Sequence, residues 1–160
     1  MSPQEKATQL LNRMHWVFDL DGTLTKPVHD FPAIRQALGL SEQQGTLEGI
    51  LGMPEVERKS TMDKLDQIGW DYAEQAEAQP GSIKLLKHLQ ARGCRMGVVT
   101  RNNHSNLRES LKRCEMESFF DPECLVSRDQ PPAKPSPVPL NRLLQQWGAS
   151  PKDGVMVGDA

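Results

Sequence analysis

The chain has 160 residues, enough for one ordinary domain with room for a small insertion. Its 19 basic and 21 acidic side chains leave a formal net charge of −2, so no basic face for nucleic acid is implied. No apolar run approaches membrane-spanning length, Met1–Lys6 hold no apolar core like that of a secretory signal, and the 3 cysteines contain no Cys-x-x-Cys pair.

An odd set of thiols, Cys94, Cys114 and Cys124, fits a reducing cytoplasm better than a disulfide or zinc framework. Residues 1–13 read as a polar, partly helical lead-in with Leu10 and Leu11 as apolar anchors. His15 to Leu20 is too short for a helix and rich in aromatic and β-branched side chains. That is the look of a parallel strand covered on both faces. It ends on Asp19-Leu20-Asp21-Gly22. At strand spacing Asp19 and Asp21 leave the same side of the backbone, and Gly22 lets the chain turn sharply. Two acids that close stay ionised only beside a cation or by sharing a proton, which suits a divalent metal or acid–base work. A strand followed by an ordinary Asp-Gly turn accounts equally well for the pattern taken alone.

From about His29 to Gln79 the pattern is helical. Asp30 is placed to cap a helix with Phe31, Ile34, Ala37 and Leu38 on one face and Gly39 as its stop. A second piece is predicted near Thr46–Leu51, and a third carries Val56, Met62, Leu65 and Ile68, continuing through Tyr72 and Ala73 to Pro80-Gly81. No strand is predicted there.

After Gly81 the alternation of a parallel α/β domain resumes. Ser82 is predicted to cap a helix with Ile83, Leu85, Leu86 and Leu89 inward and Gly93 at its end. Met96–Val99 is the second strand and ends at Thr100-Arg101-Asn102. Leu107, Leu111 and Cys114 mark a helix, and Cys124–Val126 the third strand. Pro131–Pro135 is a stiff loop with one basic residue, Lys134. Ser136 and Pro137 open a helix with Leu140, Leu143, Leu144 and Trp147 on its apolar face; Val155–Val157 is the fourth strand, leading to Gly158-Asp159. The fold class is therefore α/β: a three-layer, Rossmann-like parallel sheet with a small helical insertion after the first strand. Residues 1–28 and 80–160 would make the discontinuous core, and 29–79 the insertion.

Each strand end carries a polar residue: Asp19 with Asp21, Thr100, the loop bearing Lys134, and Asp159. In open α/β sheets ligands bind outside the carboxyl ends of the strands. Taken singly, each has a plainer reading: Thr100 as the end of a strand, Lys134 as a solvated lysine, and Asp159 as a helix N-cap.

The order of these segments resembles the haloacid dehalogenase-like superfamily. Asp19–Thr25 is similar to its first signature, Val99–Asn102 to its second, Lys134-Pro135 to its third, and Val157–Asp159 to the start of its fourth. The helical stretch 29–79 falls where members carry a cap, and the Lys-Pro-x-Pro loop is shared with phosphoglycolate-phosphatase-like hydrolases. The resemblance implies a phosphatase acting on a small phosphorylated metabolite through an aspartyl-phosphate. It assigns Asp19 as nucleophile and Asp21 as acid and then base. It implies Mg²⁺ held by Asp19, the backbone carbonyl of Asp21, and Asp159. Thr100 and the backbone N–H of Arg101 would bind the phosphate oxygens, with Lys134 offsetting their charge. An acid at position 21 favours phosphoryl transfer over the dehalogenase branch.

A phosphomutase of the same family is the nearest alternative, and a receiver-like signalling domain a more distant one. His29 reads as an exposed junction residue, and His15, His88 and His104 lack ligand spacing. Arg35, Arg58 and Lys59 could meet an anionic substrate tail, although solvated helix faces commonly carry such charges. The family's fourth signature normally has a second acid beyond Asp159, then a covering helix and a last strand. Their absence leads to the expectation of a C-terminally truncated form with impaired activity. No membrane or nucleic-acid partner is expected, and the sequence leaves the oligomeric state open.

Overall fold

A computed structural model describes residues 1–158; Asp159 and Ala160 lie outside the described residues. The sheet is built around β1 (His15–Phe18), flanked by β2 (Arg95–Val99) and β4 (Gly154–Val157), with β3 (Leu125–Val126) beyond β2. All pairings are parallel and the order is β3-β2-β1-β4. Phe18 lies in register with Val98 and Val157, so β1 and its two neighbours deliver their carboxyl ends to one edge. The chain winds outward from β1 to β2 and β3, then returns to the other side of β1 as β4. Ligand sites in open parallel sheets form at such a reversal.

Strand alternation sorts the core into layers. Trp16 and Phe18 face one side of β1 with Val98 of β2, while Val17 and Val99 face the other. The first side is covered by α5 (Ser82–Ala91) and α6 (His104–Arg113) through Leu86, Leu89, Leu107 and Leu111. The second is covered by α7 (Val138–Gln146) through Leu143, with Leu140 and Trp147 at the margin. The result is the expected three-layer fold. Burying each of these side chains stabilises the fold by about 1.5–3 kcal/mol.

The helix α1 (Pro3–Leu11) is held locally, by a capping box between Ser2 and Glu5. Leu10 and Leu11 remain 42% and 37% exposed, so they do not anchor it as the sequence suggested. The link to the sheet is polar instead: the Trp16 indole N–H donates to the Arg13 carbonyl at 2.9 Å, and Arg13 donates to the Gly154 carbonyl at 3.0 Å.

The insertion holds α2 (Phe31–Ala37), α3 (Thr46–Leu51) and α4 (Glu55–Glu74). Asp30 caps α2 as predicted, accepting the Ala33 N–H at 3.1 Å. Ile34, Leu38 and Ile50 form a separate apolar cluster with Leu65 and Ile68 of α4. The outgoing and returning segments are clamped together: Lys26 N–H donates to the Glu77 carbonyl and Gln79 N–H to the Leu24 carbonyl, both at 2.9 Å. Two predicted boundaries shift. Ser82 is the first residue of α5 rather than its cap; that place belongs to Gly81 at φ 87°, and the Ser82 hydroxyl donates to the Gln79 carbonyl at 2.7 Å. Cys124 lies in the turn before β3, not in the strand. Among the described residues no helix is long and apolar enough to cross a membrane.

Candidate active site

Asp19 follows β1 in extended conformation, its N–H bonded to the Val157 carbonyl of β4 at 2.9 Å. Its Oδ1 accepts two bonds, from the Leu20 N–H at 2.9 Å and from Lys134 Nζ at 2.9 Å. Its Oδ2 has no hydrogen-bond partner among the described residues. One oxygen is therefore held and the other is free. Leu20 and Leu24 are buried and pin a wide turn closed by the Thr25 N–H and hydroxyl, which donate to the Leu20 carbonyl at 3.2 and 3.3 Å. Gly22 makes that turn at φ 82°, a left-handed conformation that a β-carbon would disfavour. The turn, and not strand alternation, brings Asp21 back beside Asp19: Asp21 lies outside β1, yet both acids line one cleft.

The second strand end contributes through its backbone as much as its side chains. Thr100 is 3% exposed, and its Oγ1 accepts the Asn102 N–H at 3.1 Å, which leaves the hydroxyl proton free to donate. The Arg101 N–H has no partner among the described residues. The Arg101 guanidinium pairs with Glu48 of α3 at 2.5 Å. Asn102, absent from the predicted site, donates from Nδ2 to Asp21 Oδ2 at 3.3 Å. Its Oδ1 accepts from Asn106 Nδ2 at 3.0 Å, and the same Asn106 amide reaches the Asp66 carbonyl of α4 at 3.3 Å. Asn106 is 2% exposed, a buried amide whose bonds link the helical insertion to the acid. A polar residue beside Leu107 on the inward face of α6 was the available sequence signal.

Three further residues complete the cleft. Lys134 is held inward against Asp19 with its side chain 16% exposed, so the surface-lysine alternative is wrong for its placement. Arg128, which sequence reasoning missed, follows β3 and pairs with Asp66. His29 is not the exposed junction residue expected. Its ring stacks on Tyr72 at 4.3 Å between centroids, and its Nε2 lies 3.9 Å from Asp21 Oδ1. Burial pushes the Asp21 carboxyl up from its ordinary 3.8, opposed by the nearby His29 and the Asn102 amide. The cleft has a volume of about 480 Å³ and runs from the strand ends to α2, α3 and α4.

The structure thus brings Asp19, Asp21, Thr100, Arg101 and Lys134 to one cleft. Asp159, the remaining expected metal ligand, lies outside the described residues. Among those described, no three His, Cys, Asp or Glu side chains stand close enough to hold a metal ion. What residues 19–21 offer is the Asp19 carboxylate and the backbone carbonyl of Asp21, oxygen donors suited to a hard divalent cation that keeps part of its hydration. The three cysteines are free, and burial raises each thiol.

A parallel sheet whose strand ends converge on an acid pair, a buried threonine and an inward lysine defines an open α/β protein with its candidate site at the carboxyl edge of the sheet. Residues 15–160 match the family model of the haloacid dehalogenase-like hydrolases, and the chain belongs to that family. It is 31% identical over 147 residues to an uncharacterized hydrolase of Saccharomyces cerevisiae, covering 90% of this chain and 67% of that one. It is 32% identical over 155 residues to a haloacid dehalogenase-like hydrolase domain-containing protein of Arabidopsis thaliana, covering 90% and 62%. The chain therefore spans about two thirds of the length of these relatives. Among solved structures, a hydrolase from Pseudomonas syringae superposes with a TM-score of 0.74 at 22% identity, covering 92% of this chain and 77% of that one. CbbY from Rhodobacter sphaeroides, solved in complex with phosphate, gives 0.69 at 18% identity over 90% and 76%. These likenesses show the fold.

Proposed function

We propose that this hydrolase is a Mg²⁺-dependent phosphatase that cleaves a small phosphorylated metabolite through a phosphorylated Asp19. The observation that carries the reading is the division of labour on Asp19: Oδ1 is tied to Leu20 N–H and Lys134, while Oδ2 is free to attack. Attack on phosphorus forms the Oδ2–P bond and breaks the bond to the leaving oxygen. Asp21 gives that oxygen a proton, which burial helps it to hold. Asp21 then takes a proton from water, the water oxygen attacks phosphorus, and the Asp19–phosphorus bond breaks to release inorganic phosphate. The Thr100 hydroxyl and the Arg101 N–H are available donors for phosphate oxygens, and Lys134 offsets their charge.

Asp19 through its carboxylate and Asp21 through its backbone carbonyl would hold the cation, with Asp159 as the further expected ligand. Bound there, Mg²⁺ would shield the attacking carboxylate from the negative phosphate. Helices α2–α4, within residues 29–79, would act as a cap, since they keep their own apolar cluster and wall the cleft opposite the strand ends. Three free thiols fit a cytoplasmic setting.

The test is a screen of phosphate esters for release of inorganic phosphate with Mg²⁺, run beside Asp19→Asn. Stoichiometric phosphorylation of the parent that disappears in Asp19→Asn is the expected result. Parental turnover by a folded Asp19→Asn protein would remove Asp19 from its role.

A further inference from the structure

The cleft is lined by four cationic side chains: Arg35, Arg101, Arg128 and Lys134. Three have acidic partners, Arg101 with Glu48, Arg128 with Asp66 and Lys134 with Asp19. Arg35 pairs with no acid among the described residues, and its Nε is buried without a hydrogen-bond partner. Its place in the last turn of α2 favours a positive charge, because the carbonyl end of a helix attracts cations. That leaves the Nε–H itself unsatisfied. Arg35 itself lines the cleft, and among the described residues it is the one cation there that no acid neutralises. The share of the lining that the helical insertion supplies is mostly apolar: Phe31, Ile34, Leu47, Leu65, Ile68 and Tyr72.

We propose that the cleft takes phosphomonoesters whose alcohol half is an apolar or aromatic skeleton ending in a carboxylate, and that Arg35 binds that carboxylate. This rests on the phosphatase reading for the phosphate end of the ligand. The choice of a carboxylate follows from charge. One unpaired guanidinium balances one monoanion and matches its two oxygens with a fork of N–H donors. A second phosphate would bring more negative charge than Arg35 neutralises, between apolar walls that solvate none of the excess. The skeleton follows from size: about 480 Å³ falls in the range of clefts that bury drug-sized ligands, roughly 300–1,000 Å³. A two-carbon acid would leave the apolar walls untouched.

The experiment uses the full chain with Mg²⁺ and non-hydrolysable probes. Binding of 4-(phosphonomethyl)benzoic acid is compared by calorimetry with that of its methyl ester and of 1,4-bis(phosphonomethyl)benzene. The acid should bind at least about tenfold tighter than the ester, with the bisphosphonate weaker than the acid. Arg35→Gln should bring the acid-to-ester ratio close to one, while Arg35→Lys, which keeps charge but not the fork, retains part of it. Thermal unfolding shows that both variants fold. Equal binding of acid and ester by the parent, or an unchanged ratio in Arg35→Gln, overturns the proposal; a bisphosphonate that outbinds the acid overturns the carboxylate. Phosphate release from phenyl phosphate is measured in parallel. Turnover without acid preference keeps the phosphatase and sinks the Arg35 subsite. Arg35-dependent acid preference in a chain that releases no phosphate supports the subsite and sinks the phosphatase.

Discussion

Gly69 of α4 and Asn106 of α6 share one space: a β-carbon on Gly69 would stand 2.4 Å from Asn106 Nδ2 and 3.3 Å from Asn102 Oδ1. The bare helix surface at position 69 is what lets Asn106 reach both the Asp66 carbonyl and Asn102.

Gly69→Ala therefore sets two effects against each other. Removing a glycine from a helix interior stabilises by about 0.5–1 kcal/mol, while overpacking a filled contact costs about 1–3 kcal/mol. The clash should win. We expect a lower unfolding temperature and reduced phosphatase turnover, because displacing Asn102 releases Asp21. Adding Asn106→Ala to Gly69→Ala should recover stability by making room but leave turnover low. Calorimetry and a phosphate-release assay read both; a Gly69→Ala protein more stable than the parent would show that the contact is slack.

Lys134→Ala removes the charged donor from Asp19 Oδ1 and a cation from the phosphate site. Loss of one such electrostatic stabiliser should lower kcat by roughly 10²–10³-fold. Both side chains of the Lys134–Asp19 pair are mostly buried, so leaving Asp19 without its cation should also lower the unfolding temperature, while circular dichroism shows that the variant folds. A kcat within a few fold of the parent's would exclude Lys134 from the reaction.

The buried Asp21 makes stability depend on pH. Its carboxyl is raised above the ordinary 3.8 by burial, so the folded state holds this proton more tightly than the unfolded chain. The resulting stabilisation is complete below 3.8 and is lost as pH rises through the higher folded-state value. Asp21→Asn has no proton to lose. With a chelator present, the variant should therefore unfold at a higher temperature than the parent at neutral pH, and the gap should close as pH falls toward 3.8. A gap that does not vary with pH would mean that burial does not strain the ionised carboxyl.

Mg²⁺ should stabilise the folded chain through Asp19 and the backbone of Asp21. At a concentration about 100 times its Kd, a ligand that binds only the folded state adds about 2.7 kcal/mol. For a chain of this size that is a rise of several degrees in unfolding temperature. Asp19→Asn, which replaces the anionic carboxylate by a neutral amide, should lose most of the rise. An equal shift in both proteins would place the cation elsewhere.

Much of this protein was legible in its sequence because the signals are local. The run Trp16-Val17-Phe18 and the stop at Gly22 specify a buried strand and a turn within a few residues. Asp19, Asp21, Thr100 and Lys134 were recognisable since each follows a strand or punctuates a loop, and parallel strands deliver their ends to one edge. Even Asp30, as the cap of α2, needs only Ala33 to be understood. The tertiary structure alone decided which of the remaining polar residues belong to the site. Asn102 meets Asp21 across 81 positions, Asn106 meets Asp66 across 40, and Arg128 meets Asp66 across 62. His29 and Arg35 look like solvated charges in sequence, yet one stacks on Tyr72 and the other lines the cleft with its Nε buried. Leu10 and Leu11 fail in the opposite sense, apolar but left outside the core. Periodicity records which face of an element is apolar, whereas burial and hydrogen bonding depend on what a distant segment brings against that face. That meeting exists only once the chain has folded.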